Sequence, residues 1–294
     1  MADSARVKIK EFQAQDGVCF PLYFWQGDVG KRETEKAQDI VILHGMGSAP
    51  SEMALLAETA QSCGINAWCY AMRNQGLDPR REKRGKTFEV AEIVDDFRQF
   101  LLQEIPTEKK VLLAGESMGG IFALSLMLFP EIKNRVTGII LLSPVIHLRQ
   151  KLSLPLEVLV RVVYKIMPNI VISPALFVHG RSEKPQLTTN KIYEQENEKR
   201  PHTVKAYALG FTVQVGKLMK LAQKIIPKIN QPILMLAGKH DPFIDPKQLR
   251  EEFEKFASTD KKFIIFENTY HLIQQDDDAD AAKKQIAQWI QEHG

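Results

Sequence analysis

Residues 111–120 read Val-Leu-Leu-Ala-Gly-Glu-Ser-Met-Gly-Gly, and the fold follows from how that stretch must bend. Val111–Ala114 is a short apolar run of the kind buried inside a parallel sheet. The residues after Ser117, to about Phe129, read as a helix. Between the two, the G-x-S-x-G pattern at Gly115-Glu116-Ser117-Met118-Gly119 forces a very tight strand-to-helix turn. Side chains two residues before and after the serine would collide, so glycine is needed at 115 and 119. Ser117 is then held in a strained backbone conformation, its hydroxyl lifted clear of the sheet edge at a helix N-terminus, where negative charge is favoured.

Outward from this turn, short apolar runs alternate with helical periodicity. Val7–Glu11 and Val18–Trp25 read as a hairpin turning at Asp16-Gly17. Ile40–Leu43, Ile65–Tyr70, Val136–Leu142, Ile233–Ala237 and Phe263–Phe266 read as further strands. Helical stretches fall at Ser51–Cys63, ending at Gly64, and at Phe88–Ile105, with Thr87 as its expected N-cap and Pro106 as its stop. Two more fall near Lys247–Phe256 and Ala279–Ile290. Repeated β–α–β units imply a mainly parallel, eight-stranded sheet with helices on both faces. The alternation fails once, from residue 145 to 230, a stretch that holds Pro155, Pro168, Pro174, Pro185 and Pro201 among its prolines and at least two helical segments. That stretch is expected to be a helical cap inserted after the sixth strand, with residues 1–144 and 231–294 forming the core.

The chain has 294 residues, 44% hydrophobic and 26% charged. This excludes a disordered or collagen-like chain and suffices for a large core. The first residues, Met1–Phe12, contain no apolar signal segment, and no run is long enough to span a bilayer. Cys19, Cys63 and Cys69 read as reduced thiols. No CxxC or HExxH occurs. The expectation is a cytoplasmic protein, peripheral to a membrane at most, with no metal, no organic cofactor and no nucleic-acid partner. Its oligomeric state is open. Charge is unevenly spread: residues 145–230 carry fourteen Lys and Arg against five Glu, a net of +9 in a chain of net +3, leaving −6 elsewhere. A basic cap on an acidic body points toward an anionic membrane or anionic substrate, the alternative being a solvated surface.

A serine needs a base to become a nucleophile. His271 follows the last strand, and Asp241 directly follows Ile233–Ala237 as the carboxylate that would orient it. Asp245 competes as the acid, and His44 as the base. His147, His179, His202, His240 and His293 are read as structural or solvated. For the developing oxyanion, the run Val41–Ser48 ends an apolar strand at His44-Gly45. The Met46 amide can there face the amide of Met118, with Gly45 and Gly47 letting the chain bend inward. His44 is expected to brace this loop.

Together, His44-Gly45-Met46-Gly47-Ser48, Gly115–Gly120, Gly238–Asp245 and Thr269-Tyr270-His271 resemble the α/β-hydrolase superfamily. Within it they are similar to the monoacylglycerol lipase, lysophospholipase and serine aminopeptidase-like branch, over essentially the whole chain. The resemblance implies Ser117 as nucleophile, Asp241 as acid, His271 as base, and Met46 with Met118 as the oxyanion hole. It implies a serine hydrolase of lipid-like monoesters, with small carboxylic esters, thioesters, peptides or ligand binding without turnover as alternatives. One departure falls where the family shows D-x-x-G-x-G-x-S: here residues 72–78 read Met-Arg-Asn-Gln-Gly-Leu-Asp. Two apolar stripes in the cap are read first as its own packing and second as lining for an acyl chain. They are Leu152, Leu154, Leu156, Leu159, Val160, Val163 and Ile166, and Tyr207, Phe211, Val215 and Leu218.

Overall fold

Apolar runs with no polar alternation can be buried only between two layers of helix, and five of the strands in this chain are of that kind. In the computed structural model, which describes residues 7–28, 39–150, 153–172, 185–204 and 206–294, ten strands are present. They are β1 (Val7–Gln13), β2 (Cys19–Trp25), β3 (Asp39–Leu43), β4 (Asn66–Tyr70), β5 (Val111–Glu116), β6 (Val136–Leu142), β7 (Val171–Ile172), β8 (Tyr207–Ala208), β9 (Ile233–Gly238) and β10 (Lys261–Phe266). Eight form one sheet in the order β1-β2-β4-β3-β5-β6-β9-β10. Within this sheet the β1–β2 and β2–β4 pairings are antiparallel and the others are parallel. This is the α/β-hydrolase arrangement. Strand β5, which carries the serine turn, lies in the middle of the sheet and is buried along its whole length.

The helices are α1 (Ala54–Ser62), α2 (Val90–Glu104), α3 (Met118–Leu126), α4 (Pro130–Lys133), α5 (Leu154–Ile166), α6 (Lys191–Lys199), α7 (Leu209–Ile225), α8 (Pro246–Glu254) and α9 (Ala279–His293). One hydrophobic cluster on one face of the sheet gathers Phe97, Phe100, Phe122 and Phe211. A second, on the other face, gathers Leu56, Ile286 and Trp289 with Ile40 and Ile42. Helix α2 starts later than expected: Glu89 precedes its first residue and makes no side-chain cap. Thr87 is used elsewhere, its hydroxyl donating to the Pro168 carbonyl at 3.0 Å, which pins the α2 entry to the turn after α5. Tertiary contact has overridden the local capping preference.

Among the described residues, the segment between β6 and β9 contains α5, α6, α7 and the small β7–β8 pair. Its two expected stripes have different fates. The α7 stripe is packed: Phe211, Leu218, Ala222 and Ile225 join the core cluster of the sheet. The α5 stripe is covered only in part: no residue of that helix is buried, and Val160 and Val163 are half-buried. Leu154 and Ile166 are 74% and 73% exposed, and Leu159 is 56% exposed. The reading of α5 as cap packing is therefore corrected. Periodicity locates an apolar face but does not supply its partner. Leu152 and His179 lie outside the described residues.

Candidate active site

In an open parallel sheet, side chains converge at the carboxyl ends of the strands. The loops after β3, β5, β9 and β10 bring His44–Ser48, Ser117, Asp241 and His271 to that edge. Ser117 has φ 55° and ψ −118°, a strained conformation for a side-chain-bearing residue. Glycine spacing is what makes it feasible. A Cβ at 115 would lie 2.5 Å from the Gly119 backbone, and one at 119 would lie 2.0 Å from the Leu43 carbonyl oxygen. The Ser117 amide donates to the Leu142 carbonyl at 2.8 Å, tying the turn to β6.

His271 Nε2 lies 2.8 Å from Ser117 Oγ, and its Nδ1 lies 2.6 Å from Asp241 Oδ2. The second oxygen of Asp241 accepts from the amides of Phe243 and Ile244, at 2.8 and 3.0 Å, so the carboxylate cannot rotate freely. The carbonyls of Asp241 and Ile244 in turn accept from Arg149. The Phe243 ring stands edge-on to the imidazole, with centroids 5.1 Å apart. Burial alone would lower the His271 pKa, but the charge and hydrogen bond of Asp241, with the charge of Glu116, raise it above its ordinary value. Asp245 is elsewhere: its carboxylate caps α8 by accepting from the Lys247 amide at 2.9 Å.

His44 is fully buried with both ring nitrogens engaged. Nε2 accepts from the Met72 amide at 3.0 Å, so the proton sits on Nδ1 and is donated to the Gly45 carbonyl at 2.9 Å. Burial pushes its pKa down to about 4. A neutral imidazole with no free lone pair braces the loop and is not available as a base. The Gly45 backbone then passes directly under the nucleophile, where a Cβ would lie 3.3 Å from the Ser117 Cβ. Met46, next in the loop, is 41% exposed.

Several neighbours of this site were not singled out in the sequence. Glu116 is buried directly before the serine, and burial raises its pKa to about 7. Its carboxylate accepts from Gln274 Nε2 at 3.3 Å, while Gln274 Oε1 accepts from the Leu56 amide. Gln75 Oε1 accepts from the Gly47 amide at 2.8 Å. The departure at residues 72–78 has a structural account: Arg73 is buried and bridges Asp96 and Asp16 at 2.7 and 2.6 Å. Asn74, at φ 62°, donates to the carbonyls of Lys83, Lys86 and Thr87. A cleft lined by Lys110, Thr137, Pro232, Asp260 and His293 lies at the opposite ends of the strands. The described residues contain no His, Cys, Asp and Glu cluster arranged to hold a metal. None of their helices is long and apolar enough to cross a membrane.

The family model for serine aminopeptidase, S33, matches residues 34–278. The chain is 22% identical to monoglyceride lipase of Saccharomyces cerevisiae, over 96% of this chain and 93% of that one. It is 23% identical to phospholipase YtpA of Bacillus subtilis, over 80% of this chain and 87% of that one. A crystal structure of a soluble variant of the yeast monoglyceride lipase, in complex with a substrate analogue, superposes with a TM-score of 0.81 at 20% identity. That superposition covers 100% of this chain and 97% of the other, and it bears on the fold.

Proposed function

From the premise that this chain belongs to the serine aminopeptidase S33 family of α/β-hydrolases, we propose that it is a serine hydrolase of lipid-like carboxylic monoesters. The observation that carries the reading is the continuous path Ser117 Oγ–His271–Asp241, with contacts of 2.8 and 2.6 Å at a serine held at φ 55°. His271 takes the Ser117 proton, and Ser117 attacks the ester carbonyl. The Met46 and Met118 amides receive the oxyanion, and the acyl-enzyme is cleared by water that His271 deprotonates. The names of the yeast and Bacillus relatives favour a monoacylglycerol or a lysophospholipid as substrate. A fluorophosphonate probe tests for the nucleophile. A chain-length series of p-nitrophenyl esters, run beside monoacylglycerol, lysophospholipid, acyl-CoA and a peptide amide, tests the substrate class. Turnover of the peptide amide alone, or of nothing despite labelling, would overturn the lipid-ester reading.

Residues 145–230 are proposed to be a cap that meets lipid. The exposed Leu154, Leu159, Val162 and Ile166 supply an apolar contact, and the lysines on the outer face of α7 supply charge. Part of that charge is answered within the chain, since Lys217 lies 4.0 Å from Glu89 and Lys220 lies 3.9 Å from Glu157. Replacing Lys217, Lys220 and Lys224 together by Gln should raise KM for an anionic lysophospholipid several-fold. Each lysine near such a surface contributes on the order of 1 kcal/mol before screening. Short neutral esters should be unaffected, and added salt should reproduce the change in the parent protein. Equal changes on both substrate types would leave these lysines as solvated surface.

The acid limb of the kcat/KM profile reports the free-enzyme His271, which must be neutral to act as a base. Its pKa is raised, so activity should increase with pH through a midpoint above about 6.5. Glu116, with its own pKa at about 7, is ionised over the upper part of this limb and there favours the imidazolium, so Glu116→Gln should move the midpoint to lower pH. A limb that stays in place would show that the Glu116 charge does not reach His271.

A further inference from the structure

The two loops that serve the serine are both tied to one stretch of the inserted segment, although they come from opposite ends of the chain. On the His271 side, the Leu272 amide donates to the Leu187 carbonyl at 3.0 Å, and the Thr188 hydroxyl donates to the Gln275 carbonyl at 2.8 Å. The Asp276 carboxylate accepts from the Thr189 amide and hydroxyl. On the Met46 side the tie is a single carboxylate. Glu52 is buried; its Oε1 accepts from Arg200 Nη1 at 2.7 Å and its Oε2 accepts from Ser48 Oγ at 2.6 Å. Its backbone carbonyl accepts from Gln275 Nε2 at 2.9 Å, joining the two sides. Arg200 is itself oriented, with its guanidinium 5.1 Å from the centre of the Tyr193 ring of α6.

The loop from His44 to Ser48 has few holds. The Gly45 carbonyl accepts from His44 Nδ1 and from the Ser48 amide at 3.3 Å, and the Gly47 amide donates to Gln75. Gly47 has φ 72° and no side chain, so it does not anchor the loop by itself. Ser48 Oγ is the hold on its far end, and the acceptor of that hold is gripped from the inserted segment. A charged acceptor held by a guanidinium gives a stronger and more directional bond than a free one.

We propose that Glu52 is a positioning residue, clamped by Arg200, that fixes Ser48 and through it the Met46 amide. The oxyanion donor is then in register with Ser117 only while residues 187–202 are docked. This rests on the reading of Met46 as an oxyanion donor under Proposed function. The segment that would cover the substrate thereby also completes the site that reacts with it.

The test uses p-nitrophenyl acetate, a short ester with no acyl chain to reach a cap, and four variants of the full chain. Ser48→Ala and Arg200→Met should each lower kcat about tenfold, less than the 10²–10³ for outright removal of a donor, because the amide is displaced and not lost. KM should stay within about twofold and the acid limb of the pH profile should not move, since His271 and Asp241 are untouched. Arg200→Lys should recover most of kcat. The double variant Ser48→Ala/Arg200→Met should lose no more than either single change, because both act through Glu52. Unchanged kcat on the short ester with a raised KM on long esters would make Arg200 a substrate or cap contact and overturn the proposal, as would fully additive losses. Failure of the underlying reading has a different signature, namely parent-level turnover by Ser117→Ala.

Discussion

Ser117→Ala should fold as the parent chain does and lose on the order of 10⁴ or more in kcat. Alanine keeps the Cβ, so the strain at φ 55° is unchanged, and the turn is held by the Ser117 amide bond to the Leu142 carbonyl and made room for by the absence of side chains at 115 and 119. What disappears is the hydroxyl 2.8 Å from His271 Nε2, and with it the only covalent route to an acyl-enzyme in the proposed mechanism. The activity left should be what the oxyanion donors and substrate binding give by themselves. Fluorophosphonate labelling should vanish, while thermal unfolding should match the parent. A folded Ser117→Ala with parent kcat would remove the assignment.

Asp241→Asn should be nearly as damaging, by about 10⁴ in kcat, and the reason is the direction in which the amide must point. Asp241 Oδ1 accepts from the Phe243 and Ile244 amides, so the asparagine oxygen has to stay there. The NH₂ group is then left facing His271 Nδ1, which must become an acceptor. The proton moves to Nε2, the nitrogen that should receive the Ser117 proton. Asp245→Asn is the contrasting change. Asparagine caps a helix about as well as aspartate, so stability and activity should stay close to the parent. Should Asp245→Asn prove the more harmful of the two, the carboxylate has been misassigned.

Some of this site was legible because local sterics leave little choice. Gly115 and Gly119 flank a serine between an apolar run and a helix, and only one turn suits that pattern. Asp241 is read ahead of Asp245 as the acid because it directly follows the end of a strand; in the structure Asp241 lies beside His271, and Asp245 caps α8. The Thr87 reading failed for the converse reason. A hydroxyl before a helix has several partners within reach, and a carbonyl distant in sequence, that of Pro168, took it. Helix α5 shows the limit of periodicity. Its apolar face was evident in the sequence, but nothing in the sequence stated that this face would stand exposed while the similar face of α7 packed against the core.

The sequence by itself determined the chain order of the eight strands of the main sheet, the serine turn, and the residue types brought to the carboxyl ends of the strands. Those depend on backbone sterics and hydrophobic period, which act over a few residues. Only the tertiary structure decided which groups meet: Arg200 with Glu52 across 148 positions, Gln275 with Glu52 across 223, and Gln274 with Glu116 across 158. Such pairs are selected when layers of the fold close on one another and buried polar groups must find whatever partner then lies within about 3 Å. No short window of the chain contains both members of any of them.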